Sequence, residues 1–229
     1  MSGELLGCYI IGSVARGEDD ERSDLDILAI VRDGKGKVSS EDILALVPDK
    51  ERYREAGISW YGVNRIRQMF TNGELFAWHI WREHIILYER GVSLSGLGPP
   101  NSYRNALLDL ESFERILLGS PANLEVAPEN TIYEFGLLYV CLRNIAMSAS
   151  GMLRDWPDFS RYSPYHLPEV PTLPMPRQEY DVAMECRMAG QRGISPPKTV
   201  DAQLVLSCYK GAVTWIGLLK ELLRAQTPR

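Results

Sequence analysis

The 229-residue sequence is poor in the side chains that bind transition metals or act as nucleophiles, since it has four cysteines and three histidines. The cysteines stand far apart in apolar or helical surroundings, at Cys8, Cys141, Cys186 and Cys208. No spacing among them matches a zinc site, so we expect buried, reduced thiols. His79 and His84 do not share a helix face, which argues against a zinc site there too.

An excess of positive charge is also missing. The 25 basic residues are outnumbered by 30 acidic ones, which gives a formal net charge of −5. Proteins that bind nucleic acid regardless of its sequence present a basic face, so this composition argues against such a function. A local basic cleft is left open.

Long apolar segments are absent as well. The longest apolar run, residues 136–142, is too short to span a bilayer, and the N-terminus lacks the charged and apolar regions of a signal peptide. We therefore expect a soluble, cytoplasmic protein without a membrane partner. The length suffices for one domain or two small ones with a sizeable core.

One stretch near the N-terminus concentrates the residues that carry chemistry. An apolar run, residues 8–11, leads into Gly12 and Ser13, and a polar loop then leads to Asp24 and Asp26, which alternate with apolar residues. Side chains alternate faces in a strand with a rise of ~3.3 Å per residue, so the two carboxylates would share one face, roughly 6–7 Å apart. Two such carboxylates can bind a hard cation such as Mg²⁺. Gly12 permits a close backbone approach to phosphate, and Ser13 offers a hydroxyl and an N–H group.

This stretch resembles the signature of the polymerase-β-like nucleotidyltransferases, most closely the small bacterial members related to kanamycin nucleotidyltransferase and the minimal nucleotidyltransferases. The residues that match the family pattern are Gly12, Ser13, Arg16, Gly17, Ser23, Asp24 and Asp26. The resemblance is tight over residues 8–31 and loose elsewhere. A motif of this kind is a hypothesis until its structural context is known.

The resemblance implies an active site and a reaction. Asp24 and Asp26 would be the catalytic metal ligands for one or two Mg²⁺ ions, and a nucleoside triphosphate would be the substrate. Gly12, Ser13, Arg16 and Ser23 would bind the nucleotide and its phosphates. For Arg16 an ion pair with the acidic residues 18–21 is an equally good interpretation.

The family also has a third carboxylate on its third strand, where it completes the metal site and accepts the proton of the attacking hydroxyl. Alignment by strand order places that position at Ser59, followed on the same face by Tyr61, and neither is an acid. Acids that could replace it are found in the predicted helical domain, at Glu111, Glu114 and Glu134, and just before the third strand, at Asp49, Glu51 and Glu55. Two other interpretations stay open: catalysis with two carboxylates and a bound water, or a site without turnover.

The rest of the chain divides into two patterns. Up to about residue 90, apolar runs with β-favouring residues alternate with helical patterns, which predicts an α/β (α+β) nucleotidyltransferase domain with a small mixed sheet at residues 1–92. Residues 91–100 contain three glycines and two prolines and mark a linker. Helical periodicity then predicts an all-α bundle of four helices at residues 102–229, interrupted by an irregular segment with six prolines at residues 156–176.

The sequence therefore favours a metal-dependent enzyme that transfers a nucleoside monophosphate from a nucleoside triphosphate to a hydroxyl of a small molecule or a protein, with release of pyrophosphate. The cleft between the two domains is the expected site. The alternative is a catalytically silent nucleotide-binding or antitoxin-like regulatory protein, which Ser59 in place of an acid supports. The acceptor and the base are left undetermined, and a homodimer is left open.

Overall fold

The protein was analysed as a computed structural model that describes residues 4–20, 23–53, 55–198 and 200–226. The chain separates into two compact units, Met1–Tyr103 and Arg104–Arg229. We describe each unit by itself. That residues 1–92 and 102–229 are separate domains stays a prediction.

The first unit contains a mixed sheet of four strands. These are β1 (Leu5–Ile11), β2 (Leu25–Val31), β3 (Ala56–Gly62) and β4 (His84–Glu89). They lie in the order β3-β2-β1-β4, with β1 antiparallel to both β2 and β4 and with β2 parallel to β3. The predicted small mixed sheet is confirmed.

The helices of this unit are α1 (Ser13–Arg16), α2 (Ser40–Leu44), α3 (Val63–Asn72) and α4 (Leu75–Arg82). The start of α2 follows from Ser39, whose Oγ accepts a hydrogen bond of 3.2 Å from the N–H of Asp42. The end of α3 follows from Gly73, which adopts the left-handed conformation that favours glycine.

Both faces of the sheet are covered, which explains why β1 and β2 are almost wholly apolar. One face, with Tyr9 and Leu28, packs against Ile66 of α3 and Ile80 of α4. The opposite face packs against a group that includes Ile43 of α2. Because side chains alternate along a strand, Asp24 and Asp26 lie on the same face of β2 as Leu28.

In the second unit, the described residues form α5 (Ala106–Leu117), α6 (Ser120–Val126), α7 (Thr131–Leu153), α8 (Arg177–Arg192) and α9 (Ala202–Gln226). The predicted all-α region is confirmed, but it contains α6, which the periodicity did not predict. Gly119 indicated a helix end, whereas the chain begins a new helix directly after it with Pro121 in the first turn, where the missing N–H costs nothing.

The proline-rich segment 156–176 is irregular, as predicted, apart from one short turn of 3₁₀ helix at Ser163–Tyr165. One hydrogen bond attaches it to α9, and another lies within it. Trp215 Nε1 of α9 donates a hydrogen bond of 2.9 Å to the carbonyl of Pro171, and inside the segment the hydroxyl of Tyr165 donates one of 2.7 Å to the carbonyl of Met175. The segment is thus held by hydrogen bonds rather than by regular backbone pairing.

Two helical segments, Pro128–Leu153 and Ala202–Gln226, are long and apolar enough to cross a membrane by length and composition. The expectation that nothing in the chain is long enough is therefore not supported, because it considered only uninterrupted apolar runs. Half of the most apolar window of the first segment and a third of that of the second are buried inside the protein. Core helices of soluble proteins share this composition, so it is weak evidence for a membrane span. The cytoplasmic location stays a prediction.

Candidate functional site

Asp24 and Asp26 lie on the sheet face that also carries Tyr9 and Leu28, at the start of β2. The register places Asp26 opposite Ile11 of β1 and opposite Gly57 of β3. Asp26 is exposed, whereas Asp24 is half-buried with its Oδ1 atom shielded from solvent. The structure therefore brings the two predicted carboxylates to one end of one face.

Gly12 lies directly against Asp26. Its backbone has φ 76° and ψ −147°, a region that is open essentially to glycine alone. A Cβ at this position would be 3.0 Å from Asp26 Oδ2, and a Cβ at Gly57 would be 3.8 Å from Asp26 Oδ1. Two glycines thus keep the space on either side of this carboxylate clear. The Asp26 residue itself is exposed, so a ligand can approach it.

Ser13 opens α1, a single helical turn that begins immediately after Gly12. Gly12 has no side chain to cap this turn, and the first N–H groups of any helix lack intrahelical partners. These N–H groups belong to the residues directly after Gly12, which lies against Asp26. The predicted phosphate-binding residues Gly12 and Ser13 therefore adjoin the carboxylate pair.

Arg16 is held by two carboxylates. Its Nε donates a hydrogen bond of 2.8 Å to Glu18, and its Nη1 donates one of 2.5 Å to Glu83, the residue directly after α4. Burial by itself would lower the pKa of Arg16, but the bonds to Glu18 and Glu83 outweigh it and raise the pKa above its ordinary value. Two N–H groups of the guanidinium are thus engaged in ion pairs, and the phosphate contact that the resemblance implied for Arg16 stays a prediction.

Glu83 also lies 3.1 Å from His79 Nε2, one helical turn earlier in α4. Sequence reasoning did not find this network. The spacing of His79 and Glu83 on one helix was visible, but nothing indicated that α4 passes close to Arg16. The network connects α1, and through it the loop at Gly12, to the helix layer.

Ser23 has a local structural role. Its Oγ accepts a hydrogen bond of 3.0 Å from the N–H of Asp20 and donates one of 3.1 Å to Asp20 Oδ1. These bonds engage the Ser23 hydroxyl with Asp20 just before β2. A phosphate contact by Ser23, which the resemblance implied, stays a prediction.

The strand register revises the search for a third carboxylate. Ser59 lies opposite Leu28, so the residue opposite Asp26 is Gly57. Along the same alternation, Glu55 precedes Gly57, and its carbonyl accepts a hydrogen bond of 2.9 Å from the N–H of Leu25. Of the acids noted before β3, Glu55 is thus in register with Asp24, and its side chain is exposed. Within the described ranges, no three His, Cys, Asp or Glu side chains are grouped closely enough to hold a metal ion.

The acids of the helical unit are engaged within that unit. Glu134 is buried, and its two oxygens accept hydrogen bonds of 2.6 Å from Ser120 and 2.8 Å from Asn123. Lys220 of α9 lies 2.5 Å from Glu114 and 3.7 Å from Glu111. Without these partners, the buried charge of Glu134 would be left unpaired, so we interpret Glu134 as a structural residue.

No family model matches the sequence, and no curated protein matches it. Solved structures similar to this chain include a nucleotidyltransferase-like protein from Exiguobacterium sibiricum and the spectinomycin adenyltransferase AAD(9) from Enterococcus faecialis, the latter with ATP and spectinomycin. The first is 12% identical with a TM-score of 0.38, over 98% of this chain and 71% of that chain. The second is 12% identical with a TM-score of 0.45, over 94% of this chain and 93% of that chain.

Proposed function

We propose that this protein transfers a nucleoside monophosphate from a metal-bound nucleoside triphosphate to a hydroxyl of a small molecule or a protein. The observation that supports this best is the arrangement around Asp26. An exposed carboxylate lies between two glycines and beside the uncapped start of α1, on the same face as Asp24. Few structural roles require an exposed acid with a glycine opposite it on β3 and another glycine directly after the end of β1.

The residues present fit a hard divalent cation. The carboxylates of Asp24 and Asp26 supply oxygen ligands, and water can complete the octahedral shell that Mg²⁺ prefers. When bound, such a cation would neutralise the triphosphate and the charge that develops as pyrophosphate leaves. The carboxylates would otherwise repel the triphosphate, so nucleotide binding at this site should depend on the metal.

The chain's own residues would position the reactants. The N–H groups after Gly12 and the Ser13 hydroxyl would hold the outer phosphates, and Asp24 and Asp26 would hold the metal. In the reaction, the acceptor oxygen forms a bond to the α-phosphorus, and the bond to the β-phosphate oxygen breaks. The acceptor proton needs a base, and Glu55 is the described acid whose register best fits that role.

A second function is favoured by a different observation. The described residues contain no ready group of three metal-binding side chains, and Gly57 and Ser59 occupy the positions on β3 where an acid would complete one. This arrangement would suit a protein that binds a nucleotide without turning it over, as in a regulatory or antitoxin-like role. The two functions differ in whether pyrophosphate is released.

The first experiment measures nucleotide binding by calorimetry with ATP, GTP, CTP and UTP, each with Mg²⁺ and with EDTA. We expect binding of at least one triphosphate with Mg²⁺ only, and its loss in the double variant Asp24→Asn, Asp26→Asn. The matched control is Glu41→Gln, which removes an exposed acid of the same unit in α2, the helix that packs on the opposite face of the sheet. Absence of binding by all four nucleotides would refute both functions.

The second experiment measures pyrophosphate release in the presence of a panel of hydroxyl-bearing acceptors, among them aminocyclitols, sugars and a serine-containing peptide. Release with one acceptor, lost in Asp26→Asn and strongly reduced in Glu55→Gln, would support the transferase. Metal-dependent binding without release across the panel would favour the silent binder. A Glu55→Gln variant with unchanged release would remove Glu55 from the site.

A further inference from the structure

A cavity of about 270 Å³ lies in the helical unit, away from the carboxylate pair in sequence and in a different compact unit. It is lined by the start of α7 and the second half of α8, which pack side by side. A volume near 300 Å³ is at the small end of ligand sites and suits a molecule the size of a substituted benzene ring.

Two glycines shape this cavity in opposite ways. A Cβ at Gly136 of α7 would be 2.8 Å from the backbone N of Arg187, so the glycine allows the two helix backbones to come into direct contact. At Gly190 of α8 a Cβ would meet nothing within 4 Å. Close helix packing therefore forms one end of the cavity, and the missing side chain at Gly190 leaves its wall open.

The lining combines an apolar surface with one positive charge. Ile132, Tyr133 and Leu137 present apolar groups, and the Tyr133 side chain is 63% exposed, which is unusual for a ring on a helix that is otherwise largely buried. The Cys186 thiol is buried, and burial raises its pKa to about 11, so it stays neutral and adds to the apolar wall.

Arg187 supplies the charge. Among the residues that the structure describes, none forms an ion pair or hydrogen bond with its side chain, in contrast to Arg16, Arg65 and Arg224, which all pair with glutamates. A guanidinium presents several N–H donors in a plane that matches a carboxylate. Glu129 also lines the cavity, but it is exposed, and water screens its charge there.

We propose that this cavity binds a small amphipathic anion, an aryl or branched alkyl carboxylate. Its apolar part packs against Tyr133 and Leu137, and its carboxylate accepts hydrogen bonds from Arg187. The proposal does not depend on the proposed nucleotide site. The ligand would act as an effector that binds to the helical unit.

The test uses three probes of one shape and different charge: 3-phenylpropionate, 3-phenylpropionamide and 3-phenylpropylammonium. Titrations of the full chain are followed by the backbone amide signals of residues 132–137 and 186–190 in two-dimensional NMR. We expect the carboxylate to bind about tenfold or more tightly than the neutral amide, because charge-assisted hydrogen bonds are roughly twice as strong as neutral ones. Arg187→Gln should reduce this preference to less than about twofold.

Gly190→Leu is the steric test, since its side chain would enter the cavity without a clash and leucine favours a helix over glycine. Gly217→Leu in α9 is the matched control, because a Cβ there also meets nothing within 4 Å and Gly217 does not line the cavity. We expect Gly190→Leu to abolish binding of the carboxylate and Gly217→Leu to leave it unchanged. Equal affinities for carboxylate and amide, tighter binding of the ammonium probe, unchanged binding to Gly190→Leu, or no binding of any probe at millimolar concentration would each overturn the proposal.

Discussion

Substitution of Gly12 by alanine should damage the candidate site more than it damages the fold. At φ 76° and ψ −147°, the backbone of this residue lies where any Cβ is strained. The new methyl group would also approach to 3.0 Å from Asp26 Oδ2, closer than a carbon and an oxygen normally pack. The backbone or the carboxylate must therefore move.

The magnitude follows from these two terms. An alanine forced into this backbone region destabilises the folded state by about 1–3 kcal/mol. Replacing glycine also lowers the conformational entropy of the unfolded chain, which offsets ~0.4–1 kcal/mol of this loss. With the displaced carboxylate, we expect Gly12→Ala to lower the free energy of unfolding by about 2–3 kcal/mol. Gly17→Ala is the matched control: Gly17 has φ 70° and ψ 26° with nothing within 4 Å of its Cβ position, so only ~1 kcal/mol of left-handed strain applies.

Amide hydrogen exchange read by mass spectrometry can assign the loss to the strands around Gly12, and calorimetry can measure metal-dependent nucleotide binding in the same samples. We expect faster exchange in β1 and β2 and loss of nucleotide binding for Gly12→Ala. Gly17→Ala should keep its binding. Equal stability of the two variants, together with unchanged nucleotide binding by Gly12→Ala, would refute the assignment of Gly12 as the residue that keeps Asp26 accessible.

Two further predictions concern ion pairs of the first unit. Glu83→Gln leaves Arg16, whose side chain is 16% exposed, with Glu18 as its ion-pair partner. Urea denaturation should therefore show a loss of about 2 kcal/mol in the free energy of unfolding. Glu18 is 49% exposed, so Glu18→Gln should lower the free energy of unfolding by less than ~1 kcal/mol. Equal losses would contradict the buried role of Glu83. Arg65 donates hydrogen bonds of 2.7 and 2.6 Å to Glu74 and lowers the pKa of that carboxyl. Because the folded-state pKa is depressed, this stabilisation is present above the ordinary glutamate pKa of about 4.3 and disappears as the pH falls through the lower folded value. The free energy of unfolding should differ between the wild type and Arg65→Gln by at most ~1 kcal/mol, because this pair is exposed. This difference should shrink as the pH falls from 7 to 3. A difference that does not change with pH would contradict the prediction.

The elements of the fold were largely predictable because their signals are local. Alternation of apolar and polar residues, the capping serine at Ser39 and the terminating glycine at Gly73 each act within a few residues of the chain. The segment α6 was missed because its start depends on a proline that reads as a helix breaker when its position in the helix is unknown. Local sequence signals therefore predicted most strands and helices. They failed at α6, because proline occurs both in the first turn of a helix and where a helix is broken.

The candidate site was predictable only within one strand–loop–strand stretch. Strand alternation placed Asp24 and Asp26 on one face, and the family resemblance added Gly12 to the same site. The partners of Arg16 and the residue opposite Asp26 come from distant segments, and no local signal specifies how β3 aligns with β2. A shift of two residues along a parallel strand keeps every side chain on its face, so apolar patterning cannot distinguish Ser59 from Gly57 or Glu55 opposite the aspartates. What decides the register is backbone pairing, seen in the hydrogen bond from Leu25 to the carbonyl of Glu55. With this register, the candidate for the catalytic base is the exposed Glu55 and not Ser59. The residue opposite Asp26 is Gly57, which leaves room beside that carboxylate.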